Sequence, residues 1–444
     1  MIGIAIATSQ NSAGLDPAAS AFIQATGITG ATQQAAIDTL VKGLKSDGLW
    51  SKMKAVYPFV TDIVNLFGFS NDFANAAWIK FPSTVVANSI ANPIDGSLNA
   101  STLNFVSGLF YNSVGNTGAS SGTFSGYVKN NGAQFIQIYD SSNGYVNFDI
   151  INYSVTFSDT MTGTITPLAN GWCKITVTKP TQYFVNNIFL SVTSSGTSGR
   201  DSNKISGSLY LYAFQVQIGL VATSYQNNVG SAQAYIANQF KYNLKDPRDL
   251  DAAFRLVFNG GWTHSSTGAT PNGTNGYADT FFNPRTHLSQ FSVHASNYSR
   301  TQNTSVDGVQ LGAYDSGSSS EVNIWQYYNS ISAKGSSLYA YSLTAVYVNN
   351  TNTLGFQIGS RTANNLAKLY FNGSSLNTNT NTETKLLPNR TIYLGGSNWL
   401  TGPTQYTPHQ HAFDTIGDGL TDTEASNLYS RVQTYQQALN RAVI

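Results

Sequence analysis

Residues 135–149 read FIQIYDSSNGYVNFD, and the fold class turns on this stretch. Phe135, Gln137 and Tyr139 alternate with Ile136 and Ile138, a period of two that sends successive side chains to opposite faces of a strand. Asn143-Gly144 follows, the dipeptide favoured in two-residue hairpin turns because both positions take positive φ, and Tyr145-Val146-Asn147-Phe148 resumes the extended pattern. The spacing predicts strand, tight turn, strand. The same period recurs at Trp172–Thr178, Ile188–Thr193 and Leu209–Ile218, separated by loops rich in Ser and Gly. Short strands at this spacing without helices between them indicate a β-sandwich or jelly roll.

Beyond Ala232–Phe240 a second β-rich region follows. Strands are expected at Phe291–Tyr298, Val322–Tyr328, Leu338–Val348, Leu354–Ser360 and 391–395, and Leu366–Phe371, Asn372-Gly373, Ser374–Leu376 is a second hairpin. Helices are expected at both ends. Asp16-Pro17 is an N-cap and first-turn pair, and Ile37, Leu40, Val41 and Leu44 share one helical face up to Gly48. Trp50, Met53 and Tyr57 suggest a further short amphipathic helix ending at Pro58, so that residues 16–58 read as helical throughout. Thr421 and Glu424 fit a capping box, and Leu428, Val432, Tyr435 and Leu439 form a stripe read as a helix lying on its own sandwich rather than as a coiled coil. The expected fold is therefore mainly β: two β-sandwich domains of jelly-roll type, an N-terminal helical segment and a C-terminal helix.

Composition narrows the function classes. The chain has 444 residues, enough for two or three cores, and charged residues make up only 10%, so solubility rests on Asn, Ser, Thr and Gly. A net charge of +1 and the lack of any basic run remove the footprint that nucleic-acid binding needs. Cys173 is the only cysteine, which excludes an intrachain disulfide. The apolar run Ile2–Ala7 lacks a basic flank and a cleavage site, and no stretch approaches a membrane span, so neither export nor membrane insertion is expected.

Three further stretches carry a resemblance. FIQATGITGATQQAAIDTLVKGLKSDGLWSKMKAVYPFV (Phe22–Val60) and FKYNLKDPRDLDAAFRLVFNGGWTHSSTGATPNGTNGYADT (Phe240–Thr280) resemble a family of bacteriophage structural proteins. LGFQIGSRT, AKLYFNG, TIYLGG and IGDGLTDTEASNLY resemble its concanavalin-like or laminin-G-like C-terminal end. Between them, FSNDFANAAWIK (Phe69–Lys80), ITPLANGWCKITVT (Ile165–Thr178) and LYAFQVQIGLVATSYQNN (Leu211–Asn228) resemble a carbohydrate-binding-module-like jelly roll found in phage tail proteins. In the first family the helical opening runs almost directly into the KDPRD segment, so the resemblance implies a jelly roll inserted near residue 61. Insertion at a loop tip is physically cheap when the guest's ends lie close together. The implied division is a helical attachment segment at 1–60, an inserted sandwich at 61–230, and a concanavalin-like or laminin-G-like sandwich with its helix at 231–444. Trp78 and Trp172 match landmark positions of the insert, where core roles are expected.

What the resemblance implies is a non-enzymatic virion protein made in the host cytoplasm, a head fibre, tail fibre or decoration protein, touching other virion proteins and host surface glycans. By analogy with fibres it would assemble as a homotrimer. A polysaccharide-degrading tail spike and a bacterial adhesin stay open as alternatives. The residues offer no phosphate loop, no HExxH and no GxSxG elbow. With 22 acidic residues, no acid/base pair can be nominated. His409 and His411, with Asp414 nearby, are two imidazoles on one face of an extended segment, but two ligands are not a site; both are read as loop or surface histidines, and no metal is expected. Asp279, Asp307 and Asp315 lie in loop-like surroundings suited to calcium, with no motif to fix a ligand set, so no cofactor is assigned. The glycan-binding candidates are aromatics beside amides and hydroxyls, namely Trp325, Tyr327, Tyr328, Trp399 and Tyr406.

Overall fold

The computed structural model describes residues 14–443 apart from 63–64, 115–120, 143, 182, 185, 223–224, 229, 231, 304–305, 307, 316–319, 328–336, 340–345 and 348–351. The chain divides into two compact units, one formed by residues up to 62 together with 236–444 and the other by 63–235. Five helices occur among the described residues: α1 (Pro17–Thr26), α2 (Ala31–Ser46), α3 (Ala232–Phe240), α4 (Pro284–His287) and α5 (Asp422–Ala438). None is long and apolar enough to cross a membrane.

In the discontinuous unit, a six-stranded sheet runs Met53–Tyr57, Phe413–Gly417, Val293–Ser299, Gly355–Ala363, Leu366–Phe371, Ser374–Asn379, with every pair antiparallel. Its first strand comes from the N-terminal segment and its second from the far end of the chain, so neither segment completes the sheet alone. One face carries Tyr298, Phe356, Ile358, Tyr370 and Phe413, which pack with Phe22, Ile37, Leu40, Leu44, Leu428, Val432 and Tyr435 of α1, α2 and α5. The predicted caps are present: the Asp16 carboxylate accepts from the Ala18 N–H at 2.9 Å, and Thr421 and Glu424 close a capping box. A second sheet runs Val257–Asn259, Tyr277–Asp279, Tyr393–Leu394, Gly308–Asp315, Ser320–Tyr327, Ser337–Tyr339, Val346–Tyr347, with Ser397–Trp399 and Gly402–Thr404 attached beside Gly308–Asp315. The Asn372-Gly373 hairpin is present with both residues at positive φ, 49° and 80°.

One helical expectation fails. Residues 53–57 are a strand paired with Phe413–Gly417, not a helix. Met53, Ala55, Val56 and Tyr57 are all buried, and a strand buried on both faces is a continuous apolar run that periodicity cannot tell from a helix. The helix bearing Leu44 ends at Ser46, and Gly48, at φ 72°, turns the chain out of it.

The unit 63–235 is a sandwich of two six-stranded antiparallel sheets. The front sheet runs Thr162–Pro167, Trp172–Lys179, Gly122–Asn130, Ser206–Ile218, Leu98–Val106, Thr84–Ala91; the back sheet runs Ile79–Phe81, Leu109–Ser113, Asn187–Thr193, Phe135–Asp140, Tyr145–Asp149, Ser154–Ser158. Phe135–Asp140 and Tyr145–Asp149 pair as the opening stretch predicts, in register from Tyr139↔Tyr145 to Phe135↔Asp149, but residues 140–144 lie beyond the last pair, more than the two-residue turn expected, and Asn143 itself is outside the described residues. Between the sheets lie Phe67, Phe73, Trp78, Phe110, Phe124 and Phe214, with Trp78 stacked on Phe110 at 5.2 Å. The chain enters and leaves at one place: the Asn228 amide donates to the Asn65 carbonyl at 2.9 Å, and in the other unit Thr61 and Gln239, on either side of the segment, hydrogen bond through their side chains.

Candidate functional site

The front sheet of the 63–235 unit has two unlike faces. Alternation sends Phe124 and Val128, Cys173, Ile175 and Val177, and Leu209 and Leu211 into the core. The same alternation turns Tyr127 and Lys129, Trp172 and Lys174, and Tyr210 and Tyr212 outward. Register then arranges these in two rows across the sheet. Lys174, Tyr127 and Tyr212 are opposite one another in the first, and Trp172, Lys129 and Tyr210 in the second. Ala100 and Ile90 pair at the edge of the first row, and Thr102 with Val86 at the edge of the second.

The rings form one surface. Tyr127 and Tyr212 lie 6.0 Å apart, and so do Tyr212 and Tyr225. The Lys174 ammonium stands 6.0 Å from the Tyr127 ring centroid, and that of Lys129 5.9 Å from Tyr210. Trp172 and Tyr212 are buried at the base of the surface, while Tyr127, Tyr210 and both lysines are half-exposed. Burial raises the Tyr127 and Tyr212 phenols above their ordinary range, so both keep their protons, and Asn99 hydrogen bonds the Tyr212 hydroxyl. Beside the edge strands, the turn at Asn92–Ser97 holds Asp95 through the Asn92 amide at 2.6 Å and the Ser97 N–H at 2.8 Å, and those bonds keep its carboxyl below the usual range. The same turn exposes Ile94, and Leu98 follows it at 66% exposure.

A bulge limits the surface at one side. Register slips between Tyr212 and Gln215, with Ala213 at φ 55° and its N–H bonded to the Asn71 side chain at 3.0 Å. The slip turns Phe214 into the core, where Gly126 leaves room for its ring: a Cβ at Gly126 would stand 2.4 Å from it. Gln215 and Gln217 beyond the bulge face outward yet are buried, and the Gln226 N–H donates to Gln215 at 2.9 Å. Gln226 thus covers the polar half of the face, while Tyr225 packs against Tyr212 at the border of the aromatic half, where Tyr127, Tyr210 and the lysines stay half-exposed.

These residues were missed by the sequence reading. The available signal was an aromatic or lysine at every second position, in Tyr127-Val128-Lys129, Trp172-Cys173-Lys174 and Tyr210-Leu211-Tyr212. Trp172 is buried as expected, but not in the sandwich core. It belongs to a separate cluster with Ala100, Tyr212 and Ala213 on the outer face.

The predicted aromatic candidates are placed as follows. Trp325 and Tyr327 belong to the strand Ser320–Tyr327, with their side chains outside the described residues, as is all of Tyr328. Trp399 is half-buried, its ring 4.4 Å from Tyr314 and its indole N–H enclosed with no hydrogen-bond partner among the described residues. The Tyr406 hydroxyl donates to the Pro403 carbonyl at 3.0 Å, and its ring lies against Gly396. His409 and His411 are not surface residues: both are fully buried. His409 bonds Thr407 and the Asn303 carbonyl, and burial pushes it down to about 4. His411 bonds Asp414 at 2.6 Å, whose other oxygen accepts from Asn297. Asp279 accepts from the Phe281 N–H, Asp315 faces Arg285 at 3.4 Å, and Asp307 lies outside the described residues. Among the described residues no three His, Cys, Asp or Glu side chains gather as a metal site would require.

No protein-family model matches the chain, and no curated protein does. Among solved structures it is similar to domain 4 of the arabinanase AbnA from Geobacillus stearothermophilus, in complex with arabinotriose, at 19% identity over 39% of this chain and 80% of that one, with a TM-score of 0.26. It is also similar to the CBM40 module of the Ruminococcus gnavus IT-sialidase bound to α2,3-sialyllactose, at 16% identity over 32% and 82%, with a TM-score of 0.24. A third is domains LG4-5 of the mouse laminin α1 chain, at 12% identity over 68% and 84%, with a TM-score of 0.21. These neighbours are weakly matched, and at such scores none fixes a topology or a ligand for this chain.

Proposed function

We propose that this protein is a non-enzymatic, glycan-binding structural component of a bacteriophage particle, and that the open half of the front sheet is its sugar-contacting surface. One observation carries the glycan reading: tyrosine rings in two adjacent rows, rimmed by ammonium groups, amides and hydroxyls, on a sheet face whose other half the chain itself has roofed. Sugar rings present apolar C–H faces and a girdle of hydroxyls, which such a surface meets with aromatic faces and hydrogen-bonding rims. The two rows themselves contain no carboxylate, whereas glycoside hydrolysis needs a pair of them across the bond. The virion assignment, as fibre or decoration protein, is supported by the resemblance of Phe22–Val60 and Phe240–Thr280 to phage structural proteins, since a fold alone does not select a function.

Binding of the intact chain to a panel of bacterial capsule and lipopolysaccharide glycans tests the first part. Tyr127→Ala and Tyr210→Ala, which leave the core face untouched, should each weaken binding about tenfold or more, in line with the loss of a ring contact of 1–3 kcal/mol. Binding that survives both substitutions would remove the face from the reading. Release of new reducing ends by a homogeneous preparation would overturn the non-enzymatic part, and failure of an antibody to this chain to label purified particles would overturn the virion part.

A further inference from the structure

The ion pairs of the 63–235 unit are distributed unevenly. Lys179 is buried against Asp140 at 2.7 Å and Lys204 bonds Asp201 at 2.8 Å. The Lys80 ammonium bonds the Asn75 and Trp78 carbonyls, and Arg200 bonds the Asp140 carbonyl while lying over the Tyr139 ring. Lys129 and Lys174 remain, and among the described residues neither forms an ion pair. Both project from the open aromatic half of the front sheet.

Their positions are linked by register. Lys129 lies opposite Trp172 and Lys174 opposite Tyr127, so the two are diagonal neighbours on adjacent strands, with side chains starting roughly 7 Å apart. Each ammonium leans over a tyrosine of the next strand, Lys174 over Tyr127 and Lys129 over Tyr210. A sugar laid on either ring would therefore have a cation at its edge. A cation beside a ring is favourable in the empty protein through the ring quadrupole, and an anionic group on the sugar adds a direct charge contact without removing a competing internal partner.

We infer that the open face selects anionic over neutral polysaccharides, with Lys129 and Lys174 meeting carboxylate or phosphate groups while Tyr127 and Tyr210 carry the sugar rings. This rests on the glycan reading of the face and adds the charge class of the ligand. The structure supplies the complementarity: two cations that form no ion pair among the described residues, in rows that hold no carboxylate, while the Asp95 carboxylate, whose charge reaches the Tyr212 hydroxyl from the edge strands, is held by Asn92 and Ser97.

The test uses the full chain and two matched pairs of polymers, polygalacturonate against its carboxyl-reduced form, and dextran phosphate against dextran. At least one anionic member should bind about tenfold tighter than its neutral counterpart, as two half-exposed ion pairs allow, and that preference should shrink as salt rises. Which pair responds identifies carboxylate or phosphate as the group recognised. The double variant Lys129→Met, Lys174→Met keeps the aliphatic stems over the rings, and should lose the preference while retaining its unfolding temperature. Equal binding of charged and neutral members, or a preference that persists in the double variant, overturns the inference and leaves the glycan reading standing. If no polymer and no member of the bacterial glycan panel binds, the glycan reading falls and the charge inference falls with it.

Discussion

Arg441 holds the two ends of the discontinuous unit together, and replacing it gives a direct measure of that closure. Its guanidinium is fully buried and donates to the Phe59 carbonyl at 2.6 Å, Pro58 at 2.8 Å, Ala412 at 2.9 Å and Gln436 Oε1 at 2.6 Å, while lying 5.4 Å from the Tyr435 ring centroid. One side chain thus ties the N-terminal strand's exit to the C-terminal end. In Arg441→Met the Pro58 carbonyl keeps the Tyr435 hydroxyl and the Ala412 carbonyl keeps the Gln436 amide, but Phe59 and Gln436 Oε1 lose this donor. Four charge-assisted bonds at roughly 1.5–3 kcal/mol each, set against a desolvation cost of several kcal/mol, leave a net loss of about 3–5 kcal/mol. For a body of this size that lowers the unfolding temperature by roughly 5–10 °C. Calorimetry of the full chain would read it, with the transition of the 63–235 unit as internal reference. A shift below about 2 °C, or an equal shift of both transitions, would refute the reasoning, because the guanidinium would then carry no net stability in this unit.

Residues 63–235 expressed alone should give a soluble product with one cooperative transition, since both sheets and their core lie within that segment; aggregation where the full chain folds would refute it. Within that unit, Lys179→Met removes the cation paired with the buried Asp140 carboxylate, which keeps its Ser142 bonds, and should cost about 3 kcal/mol or more by denaturant titration, an expectation that a change under about 1 kcal/mol would sink. All five histidines lie in the discontinuous unit, and burial pushes His264, His294 and His409 down to about 4. The unfolded chain, with histidines near 6.5, therefore binds more protons, so their contribution is present above that pH and falls as pH drops towards 4, by roughly 2 kcal/mol each between pH 7 and 5. Asp62, Asp279 and Glu321, raised by burial, act in the opposite sense and offset part of the loss. Unfolding followed from pH 7 to 5 should show this unit weakening while the 63–235 unit holds, and His294→Gln should flatten the dependence; a slope unchanged in that variant would count against it.

Wherever structure is local, it was legible in the residues. Asp16-Pro17, the Thr421–Glu424 box and the Asn372-Gly373 hairpin each need only a few neighbours, and a half-buried strand declares itself by alternation. The sequence also carried the class, mainly β with helices at the ends. Residues 53–57 show where this stops: in a strand buried on both faces, the partner rather than the periodicity decides, and that partner lies about 360 residues away in Phe413–Gly417. Burial of His409 and His411 likewise depends on which loops fold over them. The aromatic face needed the most tertiary information. Alternation puts Tyr127, Tyr210 and Trp172 on one side of their own strands, but only inter-strand register sets Lys174 beside Tyr127 and Lys129 beside Tyr210, and only the 225–228 segment determines which half stays open. Sequence fixes the side of a strand because that side is a property of neighbouring residues; register and cover are contacts between segments remote along the chain, and those exist only once it has folded.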